Sequence, residues 1–406
     1  MKSPISKQAL TYDDVNIVPK YSELESRENV KLNTRFTKNT ELTIPIVSSP
    51  MDTVTELDMA KEMLDWGGTG VIHRFNTIEE QSKIMQKLHR EWNSFFSIGD
   101  MNETKIPKTL IEARKDYYET NGRPNDKESQ EDFDDYIKFV KDRLDMDKRW
   151  RKKPLCAAIG VTGDYKERAQ ELVKNGCNVL LIDVAHGHHV LVKNVIEELR
   201  NEFGRDVEII GGCIATSTAA RQLCEWGVDG LRVGVGNGSL CETRIRTGVG
   251  IPQVSALLDC VAVADSYDVP VIADGGIRNI GDVCKGLGCG ADTIMVGSLL
   301  SGTKESPGSI EKRGQWPNEQ LFKKYRGSAS LDSKLDRGED KNVEGNHKVI
   351  PYKGKASRIL HDIRDGINSA CSYVGASNIS EYHSKVELIE VTRAGNIEGK
   401  PYLLNT

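Results

Sequence analysis

The sequence of 406 residues contains no long hydrophobic run, and no stretch of it approaches the length that a membrane-spanning helix requires. Residues 1–7 are followed by no apolar segment of the kind found in a secretory signal. From these two absences we expect a soluble protein of the cytoplasm that has no membrane partner.

Positive charge is not in excess either. The chain carries 55 Lys and Arg residues against 60 Asp and Glu residues, which gives a formal net charge of −5. This balance provides no basic face for a polyanion, so nucleic acid is not an expected partner.

Paired cysteines are absent as well. The nine cysteines form no CxxC motif, are odd in number and are scattered through apolar or helical patterns. This distribution argues against a structural zinc site and a disulfide framework, and it is typical of a reducing compartment.

The sequence does contain short β-branched runs, each followed by polar or glycine residues and then by a helical pattern. This alternation predicts βα units, and the mostly apolar runs are typical of parallel strands covered by helices. The predicted strands are Ile44–Ser49, Thr69–His73, Leu155–Val161, Val179–Ala185, Val207–Gly212, Gly230–Gly234, Val269–Asp274 and Thr293–Gly297. Eight such units predict an α/β fold, a closed (β/α)8 TIM barrel, with an open doubly wound sheet as the alternative.

Two segments interrupt the βα pattern within what we expect to be one barrel domain over residues 1–406. Residues 93–153, after the second strand, are charge-rich and predict a small helical insertion that serves as a solvated decoration or a subunit contact. Residues 301–354, after the eighth strand, have low apolar content and predict a mobile flap over the active site. A helix over residues 357–372 is expected to close the barrel.

A glycine-rich loop follows the predicted strand Gly230–Gly234. The alternating Gly234, Gly236 and Gly238 allow a sharp turn, and they bring Cys241 to the tip of a loop. The polar residues around Cys241 disfavour a core position, and Arg244 would favour a thiolate. We therefore interpret Cys241 as a nucleophile; the alternative is a small packed hydrophobe.

Other candidate ligand-binding residues stand at the ends of predicted strands, which form the active-site mouth in a (β/α)8 barrel. Asp274-Gly275-Gly276 and Gly297-Ser298 offer exposed backbone amides for a phosphate, while the Asp274 carboxylate suits ribose hydroxyls. The alternative is that these glycines only make tight turns.

The segment Asp183–His189 is rich in histidine and follows the fourth strand. His186 and His188 are one residue apart with no evident third ligand, which argues against catalytic zinc. Asp183 is better interpreted as a hydrogen-bonding anchor for a second ligand, and Cys213 as a packed residue.

These motifs carry a resemblance to a known family. The matching segments are residues 10–15, Met51–Val54, Ile182–His188, Gly234–Gly250, Ala273–Ile277, Gly297–Leu300, Lys304–Gly308 and Lys324–Gly327. In them the chain resembles the family that joins inosine monophosphate dehydrogenase and guanosine monophosphate reductase. Dehydrogenases of this family usually carry a pair of regulatory nucleotide-binding modules where this chain has residues 93–153, a segment too short for two of them.

The resemblance implies a purine mononucleotide, GMP or IMP, as substrate, a nicotinamide cofactor (NADPH, or NAD in the alternative), potassium as a monovalent cation, and a homotetramer. Cys241 would attack the purine C2 carbon, and Thr243 and Glu344 would relay a proton. The implied substrate-binding residues are Ser49, Met51, Gly238, Ser239, Asp274, Gly275, Gly276, Gly297, Ser298, Tyr325, Gly327, Ser328 and Gly345. The implied cofactor-binding residues are Asp183, Ala185 and Arg244, and the carbonyls of Gly236, Gly238 and Cys241 match the cation site.

The flap indicates which of the two enzymes the chain resembles more. In the dehydrogenase an Arg-Tyr pair of the flap activates water, and residues 334–345 contain no such pair; Arg337 would be a displaced substitute. The run Gly338–Gly345 is similar to the flap of bacterial-type GMP reductases, and it places Glu344 at the relay position. We therefore predict an NADPH-dependent GMP reductase.

Two alternatives remain open. Ser48–Thr55 and Gly67–His73 are more similar to IMP dehydrogenase, which would use NAD⁺ and water to make XMP. A non-catalytic purine nucleotide-binding protein is the other alternative, and the intact Cys241-Glu242-Thr243 argues against it.

Overall fold

The computed structural model describes residues 8–96, 153–315, 318–335 and 343–399. Its centre is a closed barrel of eight parallel strands. They are β4 (Ile46–Ser48), β5 (Thr69–Ile72), β6 (Cys156–Ile159), β7 (Val179–Ile182), β8 (Glu208–Ile214), β9 (Gly230–Val233), β10 (Val271–Asp274) and β11 (Thr293–Val296). Around the barrel they follow the order β10-β11-β4-β5-β6-β7-β8-β9. The predicted (β/α)8 barrel is confirmed, and the open sheet is excluded because β9 pairs with β10.

Helices connect the strands and cover the barrel. Those described have the bounds Leu57–Asp65, Ile78–Phe96, Tyr165–Lys174, Val190–Phe203, Ser217–Trp226, Thr243–Thr247, Gln253–Ala264, Ile280–Gly288, Leu331–Leu335, Ala356–Val374, Ile379–Lys385 and Arg393–Glu398. The helix Ala356–Val374 is the closing helix predicted over residues 357–372.

The strands lie where the apolar runs predicted them, with shorter bounds at several ends. For example, the run Thr69–His73 forms a strand only over Thr69–Ile72, and Ile44–Ser49 only over Ile46–Ser48. The residues lost from the carboxyl ends leave the ladder to form the mouth of the barrel. The strands themselves are buried, as expected for a sheet with helices outside it.

A hairpin that the sequence did not predict closes the amino-terminal end of the barrel. It consists of β2 (Thr34–Thr37) and β3 (Thr40–Leu42), with Phe36 and Leu42 in the barrel core. Asn39 donates its backbone N–H to Glu208 at 2.9 Å, at the start of β8. With this end filled, the carboxyl end of the barrel is left for ligands.

The segment predicted as a flap contains a three-stranded antiparallel sheet of β12 (Glu311–Arg313), β13 (Gln320–Arg326) and β14 (His347–Pro351). Low apolar content did not reveal this sheet, because its buried inner face is formed in part by Lys323 and Tyr325. Residues 336–342, which include Arg337, lie outside the described residues.

Two compact units are distinguished in the chain, Met1–Gln86 with Pro154–Thr406 and Lys87–Lys153. The first contains the barrel, and its terminal regions meet in the antiparallel pair β1 (Val15–Ile17) and β15 (Leu388–Glu390). Most of the second unit, with most of the predicted insertion 93–153, lies outside the described residues. None of the helices described is long and apolar enough to cross a membrane.

Candidate active site

The loop after β9 carries Cys241 at the mouth of the barrel. Gly234 has a φ of 150°, and a β-carbon on it would lie 1.8 Å from the carbonyl oxygen of Asp274, so only glycine is accommodated there. The N–H of Cys241 donates to the carbonyl oxygen of Gly238 at 3.0 Å, which closes a turn. The thiol is partly exposed, as expected for a side chain that reaches a ligand.

Cys241, Thr243 and Glu344 are connected by hydrogen bonds. The Cys241 Sγ lies 3.1 Å from the Thr243 Oγ1, and that hydroxyl donates to the Glu344 Oε2 at 2.8 Å. Because the single hydroxyl proton of Thr243 is directed to the carboxylate, its oxygen is left to accept from the sulfur side. The arrangement forms a path for a proton between the partly exposed thiol and a carboxylate.

Backbone pairing between two distant segments places the Glu344 carboxylate. The N–H of Glu242 donates to the carbonyl oxygen of Glu344 at 2.8 Å, and the N–H of Asn346 donates to that of Leu240 at 3.0 Å. These two bonds make an antiparallel bridge between Cys241 and Gly345. A β-carbon on the buried Gly345 would lie 2.9 Å from the backbone nitrogen of Ser330, so the approach requires glycine.

Several predicted substrate-binding residues converge beside the loop. The hydroxyls of Ser239 and Tyr325 are 3.0 Å apart. A β-carbon on Gly297 would lie 3.3 Å from the Ser49 Oγ, 3.3 Å from the Met51 Sδ and 3.4 Å from the Tyr325 Oη. The loops after β4, β9 and β11 and the strand β13 therefore bring these residues together. Their hydroxyls form one cluster around Gly297, which has no side chain.

The turn after β10 is joined to the cysteine loop. The N–H of Gly276 donates to the carbonyl oxygen of Asn237 at 2.8 Å, and Gly275 and Gly276 have φ values of 94° and 78°. A β-carbon on Gly275 would lie 2.9 Å from the Asn237 Cβ. The predicted ribose and phosphate turn thus lies against the loop that carries Cys241.

The remaining predicted substrate-binding residues also lie at this mouth. The Ser298 hydroxyl donates to the carbonyl oxygen of Ile277 at 3.2 Å. A β-carbon on Gly327 would lie 3.5 Å from the Leu240 Cβ, and Ser328 is the next residue along the chain. Gly238 precedes Ser239 in the cysteine loop.

Four charged side chains, those of Arg74, Asp183, Arg232 and Asp274, form a row at the mouth of the barrel. Arg232, which is 8% exposed, donates from Nε to the Asp274 Oδ2 and from Nη1 to the Asp183 Oδ1, both at 2.8 Å. The other Asp183 oxygen lies 3.5 Å from the Arg74 Nε. Burial alone would lower the pKa of Arg232, but the carboxylates of Asp274 and Asp183 outweigh burial and raise it.

Arg232 was not predicted as a site residue, because it lies in a strand that is otherwise apolar or glycine. An arginine inside a barrel strand whose other residues are apolar or glycine is the signal that could have identified it, since buried charges require partners. Its partners were predicted separately, Asp274 for the substrate and Asp183 for the cofactor. Arg232 connects them physically.

Cys213 is buried next to this row of charged side chains, in agreement with its interpretation as a packed side chain. Its Sγ is 3.9 Å from the Asp274 Oδ2, and burial raises the pKa of its thiol to about 12. A thiol with that pKa stays protonated at neutral pH, which disfavours a second nucleophile.

Arg244 is directed into the base of the cysteine loop. Its Nη2 donates to the Asn237 side-chain oxygen and, at 2.5 Å, to the carbonyl oxygen of Ile251. The Asn237 amide in turn donates to the Gln253 side chain. These bonds brace the loop, and the cofactor-binding role predicted for Arg244 stays a prediction.

The carbonyls predicted to hold a cation differ in their hydrogen bonding. The Gly238 oxygen accepts from the N–H of Cys241, whereas the Gly236 and Cys241 oxygens accept no hydrogen bond from the residues that the structure describes. Carbonyl oxygens are ligands that suit a potassium-sized cation, and the cation site stays a prediction.

Asp183 and Ala185 follow β7 and lie at the same end of the barrel. Nearby, the His188 Nε2 is 2.6 Å from the Gln222 Oε1, and His189 accepts from the N–H of Leu191 to cap the helix Val190–Phe203. Within the described ranges, no group of three or more His, Cys, Asp or Glu side chains could hold a metal ion.

Comparison with known proteins gives consistent matches along the whole chain. The family model described as "IMP dehydrogenase / GMP reductase domain" matches residues 9–402. The inosine-5'-monophosphate dehydrogenase of Borreliella burgdorferi is 36% identical, over 99% of this chain and 98% of its own. That of Cryptosporidium parvum is 37% identical, over 96% and 93%.

Relatives named for the second activity match over a similar length. The GMP reductase of Leishmania donovani is 32% identical, over 97% of this chain and 96% of its own. The barrel, the cysteine loop and these matches agree that the chain belongs to the IMP dehydrogenase / GMP reductase family and is an NAD(P)-dependent purine nucleotide oxidoreductase.

Proposed function

We propose that the protein is a GMP reductase that converts GMP to IMP and ammonia with NADPH. The observation that carries the proposal is the hydrogen-bonded chain from Cys241 through Thr243 to Glu344. A carboxylate at the end of this chain can supply or take the proton that a departing amine requires.

The first step forms a bond between the Cys241 sulfur and the purine C2 carbon. As the sulfur bonds to C2, the Cys241 thiol proton passes through Thr243 to the Glu344 carboxylate. The bond from C2 to the exocyclic amine then breaks, and the amine leaves as ammonia with that proton returned from Glu344 through Thr243. Splitting the reaction through a covalent intermediate replaces one difficult step by two easier ones. After C2 has been reduced, the carbon–sulfur bond breaks to give IMP and the free thiolate.

The substrate is proposed to lie over the cluster at the barrel mouth. Ser239, Gly297, Ser298 and Tyr325 would bind the phosphate, and Asp274 with Gly275 and Gly276 the ribose. Ser49, Met51, Gly238, Gly327, Ser328 and Gly345 would complete the site around the base. The short distances among Ser49, Met51, Gly297 and Tyr325 support a single ligand for all of them.

The nicotinamide cofactor, when bound, supplies the hydride that reduces C2. Asp183 and Ala185 would hold it, and the fit rests on a partly exposed Asp183 carboxylate that Arg232 and Arg74 fix in position. NADPH rather than NADH follows from the reductase proposal. The carbonyls of Gly236, Gly238 and Cys241 would hold potassium, and the homotetramer and cytoplasmic location stay predictions.

IMP dehydrogenase is the second candidate, and two observations favour it. Ser48–Thr55 and Gly67–His73 are more similar to that enzyme, and among the relatives compared the dehydrogenase name occurs at the highest identities. The absence of an Arg-Tyr pair from residues 334–345 weighs against it, because hydrolysis of the intermediate requires activated water.

A direct assay distinguishes the two candidates. The full-length protein is incubated with GMP and NADPH, and separately with IMP and NAD⁺, while nicotinamide absorbance, ammonia and XMP are measured. We expect ammonia and IMP in the first reaction and little or no XMP in the second. Rapid production of XMP would show that the protein is an IMP dehydrogenase and would reject the reductase proposal.

A further inference from the structure

Lys353, in the segment after β14, is bonded to the turn that follows β11. Its ammonium donates to the carbonyl oxygens of Ser298 and Leu299 at 2.5 and 3.1 Å. The backbone is attached as well, because the N–H of Lys353 donates to the carbonyl oxygen of Gly302 at 2.8 Å. The flap segment and the turn Gly297–Leu300 are thus joined through one side chain.

The bonds to Lys353 fix the direction of two peptide groups. In a trans peptide the N–H and C=O point in opposite directions, so the N–H groups of Leu299 and Leu300 are directed away from the ammonium. Among the described residues, the N–H groups of Ser298, Leu299 and Leu300 donate no hydrogen bond. Two successive backbone donors, the N–H groups of Leu299 and Leu300, are therefore available on the side opposite Lys353, and the neighbouring N–H of Ser298 donates to no described residue either.

The residues proposed for the substrate phosphate are all uncharged. Ser239, Gly297, Ser298 and Tyr325 offer hydroxyls and amides to a group that carries about two negative charges at neutral pH. A cation behind the turn would lower the electrostatic cost of that charge without touching it.

We propose that Lys353 is a positioning residue for the substrate phosphate. Its side chain holds the turn Gly297–Leu300 so that the N–H groups of the turn face the ligand, and it places a positive charge behind those N–H groups. The inference rests on the proposed function only in that the ligand is a purine mononucleotide. It applies equally to the reductase and to the dehydrogenase, since both bind the phosphate.

Lys323 bonds to the same loop and does not share this role. Its ammonium donates to the carbonyl oxygens of Thr303 and Ser306, at 3.0 and 2.5 Å, which follow the turn. These bonds anchor the loop to β13 rather than orient the N–H groups of the turn.

The test compares a ligand that has the phosphate with one that lacks it. Dissociation constants of IMP and inosine are measured by calorimetry for the full-length wild type, Lys353→Met, Lys353→Arg and Lys174→Met. Lys174 is an exposed lysine at the last residue of the helix Tyr165–Lys174, shortly before β7 begins at the amino-terminal end of the barrel, so its variant makes the same change in net charge away from the turn. Thermal unfolding of each variant is recorded alongside.

We expect Lys353→Met to weaken IMP binding about 3- to 10-fold, a modest effect because solvent screens the exposed lysine, and to leave inosine binding unchanged. Lys353→Arg should retain most of the IMP affinity, because a guanidinium also donates to carbonyl oxygens, and Lys174→Met should behave as wild type.

Two results would overturn the inference. Equal loss of IMP and inosine affinity in Lys353→Met would mean a general loss of structure, and unchanged IMP affinity would mean that Lys353 does not act on the phosphate. Failure of the wild type to bind IMP would instead reject the proposed function itself, so the two failures are distinguishable.

Discussion

The hydroxyl of Thr243 donates a 2.8 Å hydrogen bond to the carboxylate of Glu344, a residue 101 positions away in the chain. The two segments meet through the backbone pairing of Glu242 with Glu344 and of Asn346 with Leu240. The carboxylate proposed for the proton relay is therefore part of a contact between the cysteine loop and the flap, and it is correctly placed only when that contact forms.

Replacing Cys241 by alanine removes the proposed nucleophile. We expect turnover to fall by several powers of ten while binding of GMP or IMP changes little, because the covalent route is lost and the phosphate and ribose contacts are kept. Steady-state assays and calorimetry on the same protein measure the two effects. Retention of more than a few per cent of wild-type activity would contradict the assignment.

Glu344→Gln replaces the carboxylate by a neutral amide of similar size. Deamination of GMP should fall about 10²- to 10⁴-fold, because the amine then leaves without proton transfer through Thr243. Formation of reduced nicotinamide from IMP and NADP⁺ in a single turnover should be less affected, since no amine leaves in that direction.

Glu242→Gln is the matched control for this variant. Glu242 is a neighbouring carboxylate that bonds to Arg246 at 2.7 Å and to the Asn346 amide at 3.3 Å rather than to Thr243. It should retain most of the deamination rate. Equal losses in the two variants would show that the relay does not pass through Glu344.

Arg232 is expected to be the most sensitive position for stability in the barrel mouth. Arg232→Met leaves the Asp183 and Asp274 carboxylates without their shared partner, which we expect to lower the free energy of unfolding by about 3–5 kcal/mol. Denaturant unfolding measures this loss. Adding Asp183→Asn and Asp274→Asn to the same chain should recover part of it, and a triple variant no more stable than Arg232→Met would contradict the charge argument.

Asp292 predicts a dependence of stability on pH. Burial raises the pKa of its carboxyl to about 6, while Oδ2 accepts the N–H of Val271 at 2.8 Å. Because the folded-state pKa exceeds the unfolded one, the protonated form favours folding, and this contribution is lost as the pH rises from about 4 through about 6.

Asp292→Asn tests this dependence because it cannot ionise and retains an oxygen acceptor. Relative to wild type we expect it to be more stable at pH 7.5 by roughly 1–3 kcal/mol and nearly equal in stability at pH 4.5. Asp259→Asn, at an exposed position, is the charge-matched control. A stability difference for Asp292→Asn that does not change with pH would contradict the assignment.

The sequence by itself determined the barrel. Each βα unit appears in the sequence as an apolar β-branched run followed by a helical pattern. Such a run reflects the strand propensity of its residues and their burial on both faces of the sheet, and both can be read from one short segment of the chain. For the same reason the positions of Asp183, Asp274 and Gly297 at strand ends could be predicted, since the carboxyl ends of parallel strands meet at one mouth. The glycine pattern of the cysteine loop likewise revealed the exposed thiol.

The tertiary structure alone decided what these residues contact. The sheet within the flap depends on pairing of β13 with β12 and β14, and the hairpin β2–β3 depends on a barrel end that it fills. Arg232 and its two partners, Asp183 and Asp274, belong to three separate βα units, and Lys353 reaches the turn Gly297–Leu300 only because the flap folds back over it. Such contacts join residues tens to hundreds of positions apart, and no local pattern in the sequence encodes them; the free energy of the whole fold selects them.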